Sequence, residues 1–197
     1  MILFTYDRSK EVEIFDAYIR PNKSPEVLSL IQAEINGVLV DINERFVTSH
    51  IKNIENEWKK VERNFYDKLG SFYEIEIAEP TLTCFFTRLD IFPYNYSPDN
   101  QKRWFSAPLF GNNPAERIRV IMHELCHYFQ PEELPRNIKE AIPVILNDHR
   151  GFQMWSNDKG HLVPEEQTWR KIIWDIYSAG KTFSEVLEKI KEGNESQ

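Results

Sequence analysis

The chain has 197 residues, 41% hydrophobic, 28% charged and 13% aromatic, a balance that excludes a disordered tract and allows a sizeable core. Net charge is −7 with acidic and basic residues interleaved, so nucleic acid and anionic membrane surfaces, which need clustered Lys and Arg, are excluded as main partners. The two cysteines, Cys84 and Cys126, are too few for a disulfide framework and fit a reducing compartment. No window approaches the ~20 apolar residues of a membrane span, and MILFTYDRSKEVEIF lacks the apolar core and cleavage site of a signal peptide. A cytoplasmic α+β protein is expected. Residues 1–197 read as a single domain, mainly helical over 1–70, with the chemistry-bearing part over 71–197.

ILFTY reads as an opening strand. Ser24-Pro25-Glu26 predicts a helix start, Ser24 as cap and Pro25 at the first helical position, with Val27, Leu28, Ile31 and Ile35 on one face. Gly37 weakens the end of that helix. A second helical pattern runs from about Asn43 to Leu69, with Phe46, Ile51, Ile54, Trp58, Val61 and Phe65 as its apolar stripe. Together they predict an N-terminal helical hairpin. After Gly70, FYEIEIA alternates apolar and polar residues, and TLTCFFTRLDIF is β-branched and aromatic. Both read as strands, turning at Glu79-Pro80. PYNYSPDNQKR reads as an exposed loop, and RWFSAPLF as a further strand stopped at Gly111-Asn-Asn-Pro114. Helices are expected from Asn113 to about Pro131, then over about 136–147, 165–177 and 183–191. In the third, Asn113 serves as cap, Pro114 as the first helical residue and Glu116 in the first turn. Ala179-Gly-Lys-Thr182 echoes a phosphate-binding loop, but it lacks that motif's first glycine and follows a helix, so it reads as a helix-to-helix turn.

One segment carries chemistry: RIRVIMHELCHYF, Arg117 to Phe129. At about 100° per residue, Ile118, Ile121, Met122, Leu125 and Phe129 share one arc, and His123 and His127 stand one turn apart on nearly the opposite side. Glu124 lies about 100° around from His123. Two imidazoles so spaced can reach one ion at ~2.0–2.1 Å, and the flanking carboxylate is placed to take a proton from water beside it. Chance gives His-Glu-x-x-His on the order of once in a hundred chains of this composition, so the spacing favours a metal site over coincidence or a structural histidine pair.

His123-Glu124-Leu125-Cys126-His127 resembles the defining motif of the zincin metallopeptidases. The resemblance is close over this helix, looser over the strands before and the helix after, and absent up to Gly70. It implies a small mixed sheet packed on the motif helix, Zn²⁺ as cofactor, His123 and His127 as ligands, and Glu124 as general base. The implied activity is hydrolysis of peptide bonds in a peptide or protein substrate, aligned in extended form on a sheet edge such as WFSAPLF.

The metzincin continuation is absent, because Gln130 and Glu133 stand where its glycine and third histidine would be. Glu140 is the favoured third ligand. In RNIKEAIPVILN it lies opposite the apolar face of Ile138, Ala141, Ile142, Ile145 and Leu146, which resembles the gluzincin arrangement of a glutamate on the next helix. The interval from His127 is shorter than is usual there, Lys139 replaces the usual asparagine, and Pro143 is expected to kink the helix. Glu133, Asp148, His149 and His161 stay as alternatives. Asp148 and Asn147 are candidates to orient a ligand histidine. His149, Arg150, His161 and Tyr177 are candidates to stabilise an oxyanion, with no preference among them. Two rival functions use the same motif: a zinc-binding, pseudo-enzymatic peptide-binding module, and a non-proteolytic hydrolase.

Overall fold

A computed structural model describes residues 1–29, 44–77, 80–89, 91–96, 103–110, 114–152 and 157–195. The chain divides into two compact units, residues 1–57 with 80–117 and residues 58–79 with 118–197. The first holds a small mixed sheet, and the second is helical among the described residues. The class is α+β. No helix among the described residues is long and apolar enough to cross a membrane.

In the first unit, β1 (Ile2–Tyr6), β2 (Leu82–Thr87), β3 (Tyr94–Asn95) and β4 (Trp104–Pro108) lie in the order β1-β2-β4-β3. β2 pairs parallel with both β1 and β4, and β3 pairs antiparallel with β4. Phe4 stands opposite Cys84, and Cys84 opposite Phe105; both Cys84 and Phe105 are fully buried. Parallel strands flanked on both sides want near-continuous apolar sequence, which LTCFFT and WFSAP supply. PYNYSPDNQKR is therefore not all loop, since Tyr94 and Asn95 find β4 as a partner; residues 97–102 fall outside the described set.

Helix α1 (Arg8–Ile14) starts at Asp7, whose carboxylate accepts the Ser9 and Lys10 amides at 2.8 and 3.3 Å. A π-helical turn (Phe15–Ile19) and a 3-10 turn (Arg20–Asn22) continue it. This helical stretch has no counterpart among the expected elements. Its Glu11 is 2% exposed and bridges to β2: Oε2 accepts from Arg88 Nη2 at 2.6 Å and Tyr6 OH at 2.9 Å, and Oε1 from the Arg88 amide at 2.6 Å. Residues 25–29 are helical, as Ser24-Pro25 predicts. Ile31, Ile35 and Gly37, and with them most of the first arm of the expected hairpin, lie outside the described residues, as do Glu79 and Asn113.

Helix α2 (Glu44–Tyr73) runs four residues beyond the Leu69 end that its sequence pattern suggests. Ile54, Trp58, Phe65, Leu69 and Phe72 are buried, each burial worth roughly 1.5–3 kcal/mol, whereas Phe46 is half exposed and leaves the stripe. FYEIEIA is not a strand. Phe72 and Tyr73 close the last helical turn, packing edge-on against Phe183, and Glu74 at φ 58° ends it. Among the described residues no strand pairs with 74–77, so their alternation has nothing to align against, and the helical period of the preceding aromatics prevails.

Helices α3 (Pro114–Tyr128), α4 (Arg136–Ala141), α5 (His149–Phe152), α6 (Pro164–Ser178) and α7 (Phe183–Glu195) follow. The expected helix over 136–147 changes to a 3-10 segment at Ile142–Asn147, because Pro143 has no amide hydrogen to continue the α ladder. Gly180, at φ 74°, makes the α6-to-α7 turn.

Candidate metal centre

The C-terminal half of α3 is covered nearly all round. Ile121, Met122, Leu125 and Cys126 are fully buried. Glu124 and His127 are 7% exposed, so the histidine side of the helix is no open face either. The two imidazoles stand one turn apart and edge-on, with ring centroids 5.0 Å from each other.

Each ring is fixed through its outer nitrogen. His123 Nδ1 is 2.7 Å from Asp158 Oδ2, and His127 Nδ1 is 3.0 Å from Gln130 Oε1. The Gln130 amide nitrogen donates to the Lys139 carbonyl at 3.0 Å, so its oxygen is the end facing His127. A carboxylate and an amide oxygen only accept, so both Nδ1 atoms carry a hydrogen, and each Nε2 presents its lone pair in the neutral ring. Those Nε2 atoms face Glu140 Oε2, at 3.6 Å from His123 and 3.7 Å from His127. Ligand atoms of His123, His127 and Glu140 all lie within 4.8 Å of one another. Bonds of 2.0–2.1 Å at tetrahedral angles separate ligand atoms by about 3.3 Å, so two imidazole nitrogens and a carboxylate oxygen here fit a zinc-sized ion with small adjustment.

The electrostatics also call for positive charge at that point. Burial opposes charge on His123, yet the Asp158 and Glu140 carboxylates outweigh it and raise the ring's pKa to about 10. Burial and the neighbouring His123 charge push His127 down to about 4. Burial pulls Glu140 upward, but the two histidines more than offset it and hold it below the usual range. Glu124 is pushed up to about 8, by burial first, with Glu140 and Asp158 adding to it against His123. One proton on His123 thus carries the charge that a bound cation would bring.

Asp158 is 2% exposed and held from several sides. Its Oδ1 accepts from Arg170 Nη2 at 2.9 Å and from the Gly160 amide at 3.1 Å, and Arg119 Nη1 lies 3.3 Å from Oδ2. Burial works against its charge, but His123 and the two guanidiniums keep the carboxyl well below its ordinary range. Arg170 also donates to the Glu140 carbonyl at 3.3 Å, tying the Asp158 loop to α4. Asn147 grips the same loop, donating to the Asp158 carbonyl at 3.0 Å and accepting its amide at 2.7 Å.

The other sequence candidates do not join the cluster. Glu133 is exposed. Asp148 accepts from Tyr177 OH at 3.1 Å rather than orienting a histidine, and this occupies Tyr177 as well. His149 pairs with Asn157 at 2.6 Å, and Arg150 is exposed. His161 sits on the wall of a cavity of about 620 Å³ that also includes Glu140. Buried Glu166 holds it there, through the ring Nδ1 at 2.9 Å and the backbone amide at 2.7 Å. Asp158, Gln130 and Arg170 were missed by sequence reasoning. Asp158 lies among turn formers 31 residues beyond the motif, where no fixed spacing marks it out. Comparison with known proteins finds no family model, no curated protein and no solved structure that matches this chain.

Proposed function

We propose that the protein is a zinc-dependent metallopeptidase of gluzincin-like type, with His123, His127 and Glu140 holding Zn²⁺ and Glu124 as general base. The observation that carries this reading is the pinning of both imidazoles from behind, which turns two Nε2 lone pairs toward one carboxylate oxygen of Glu140 at 3.6 and 3.7 Å. When bound, the ion supplies Lewis acidity, bringing the pKa of water toward ~7, polarising a carbonyl and favouring the ionised form of Glu124. Glu124, buried beside His123, takes a proton from the attacking water and delivers it to the leaving amine nitrogen. Asp158 and Gln130 keep the ligand rings in the required tautomer and orientation. Water is added across the peptide bond, giving a carboxylate and an amine.

Among the described residues the cluster has three members, which favours catalysis over a purely structural ion, which usually takes four protein ligands. Retention of Glu124 weighs against a pseudo-enzymatic peptide-binding module for the same reason, since such a site gains nothing from a general base. The two buried free thiols fit a cytoplasmic location. The test is cleavage of a mixed peptide library by purified protein, with and without chelator, beside Glu124→Gln. The parent should cleave and stop on chelation, and Glu124→Gln should bind zinc stoichiometrically by atomic absorption yet lose at least a hundredfold in turnover. Equal cleavage by the variant would remove Glu124 from the mechanism, and a zinc-free His123→Ala that still cleaves would remove the metal.

A further inference from the structure

We propose that the cavity beside Glu140 is a subsite for a carboxylate carried by the peptide, an acidic side chain or a free C terminus, with Arg136 as its specificity-determining residue. This inference rests on the metallopeptidase reading, because it takes the peptide to lie against Glu140. The cavity, about 620 Å³, is lined by Arg136, Asn137 and Glu140 from α4, by His161 and Val163 from the chain leading into α6, and by Glu165 and Glu166 from the first turn of α6.

The charges along its wall are not equally available. Glu166 is 2% exposed, and its two oxygens are engaged by His161, one by the backbone amide and one by the ring. Glu140 faces the two ligand histidines. Arg136 approaches Glu140 Oε1 only to 3.9 Å, beyond hydrogen-bond range, and its side chain is 90% exposed. What the cavity offers to a ligand is therefore the Arg136 guanidinium, together with the ring edge of His161 that Glu166 does not occupy. Glu165, exposed, is the opposing charge.

Position supports the assignment as much as charge does. Arg136 precedes Glu140 by one helical turn, a rise of about 6 Å. The side chain folds along the helix, so that its guanidinium stands 3.9 Å from Glu140 Oε1, beside the carboxylate that faces the two histidines. Guanidinium binds carboxylate through two parallel N–H bonds, and a neutral residue offers it no such partner. The buried Glu166 fixes the His161 imidazole in place, so this part of the wall is set before a ligand arrives.

The test uses the zinc-loaded full chain carrying Glu124→Gln, so that binding is read without turnover. Four fluorescently labelled alanine–glycine hexapeptides serve as probes: one containing a central glutamate, its glutamine counterpart, and the C-terminally amidated form of each. Fluorescence anisotropy should give at least about tenfold tighter binding to a carboxylate-bearing member of a pair, and Arg136→Gln should remove that difference while leaving neutral peptides and zinc content unchanged. A preference for glutamate over glutamine identifies a side-chain carboxylate. A preference for free over amidated ends identifies the terminal one. Equal binding of all four, or a preference that survives Arg136→Gln, overturns the proposal. If the preference is found but the parent chain cleaves none of the peptides, the subsite stands and the peptidase reading falls.

Discussion

Asp158 stands behind His123, its Oδ2 2.7 Å from the ring Nδ1, and Arg170 in turn stands behind Asp158 at 2.9 Å. Replacing Asp158 by Asn removes the anionic acceptor and lets an amide N–H face the ring, which favours the wrong tautomer. Zinc affinity, measured by competition with a chromophoric chelator, should fall 10–100-fold. Asp158→Ala should in addition cost about 3–5 kcal/mol in urea unfolding, because two guanidiniums lose their buried counter-ion. Unchanged zinc affinity in both variants would deny Asp158 any part in the centre.

Metal removal should be visible in stability before any substrate is known. An ion that binds only the folded chain at a hundredfold excess over Kd adds about 2.7 kcal/mol. For a chain of this size that corresponds to roughly 5–11 °C in Tm. Calorimetry with and without chelator tests this, and the difference should vanish in His127→Ala.

The acid limb of stability should contain a contribution from Glu11. Burial pushes its carboxyl up, but the bonds from Arg88 and Tyr6 outweigh this and hold it below the ordinary value. The unfolded chain therefore takes up this proton first as pH falls. The stabilisation is fully present above the unfolded value of about 4.3 and is lost as pH drops through the lower folded value. Glu11→Gln should lower Tm at neutral pH and flatten its decline below about pH 4. Parallel Tm curves for parent and variant would contradict the assignment.

Where α2 ends can be tested by contrast. Phe65, fully buried, should cost about 3–5 kcal/mol as Ala. Ile75 is 48% exposed, and Ile75→Lys should stay within about 0.5 kcal/mol. A strand over FYEIEIA would put Ile75 and Ile77 together on one buried face and make the second substitution expensive.

The clustering of His123, His127 and Glu140 was legible because each part of it follows from local sequence. His123 and His127 are set by helical period alone, and Glu140 stands opposite a clear apolar face four residues after a helix start at Arg136. The strands ILFTY, LTCFFT and WFSAP were legible from their β-branched and aromatic content. FYEIEIA misled because alternation records only what a strand would need, whereas a partner strand decides whether one forms. Asp158, Gln130 and Arg170 were illegible for a related reason. Their roles come from hydrogen bonds across 35, 3 and 12 residues to partners that only the folded chain brings together.

Gly160, in the left-handed region at φ 60°, has a further consequence. A methyl group at this position would fall within contact distance of both the Glu166 carboxylate and the Arg170 guanidinium. One of those groups steadies His161 at the cavity wall; the other braces Asp158 and, through it, a ligand ring. On the proposed function, a single added carbon would therefore disturb recognition and metal retention together, with the His-Glu-x-x-His signature left intact.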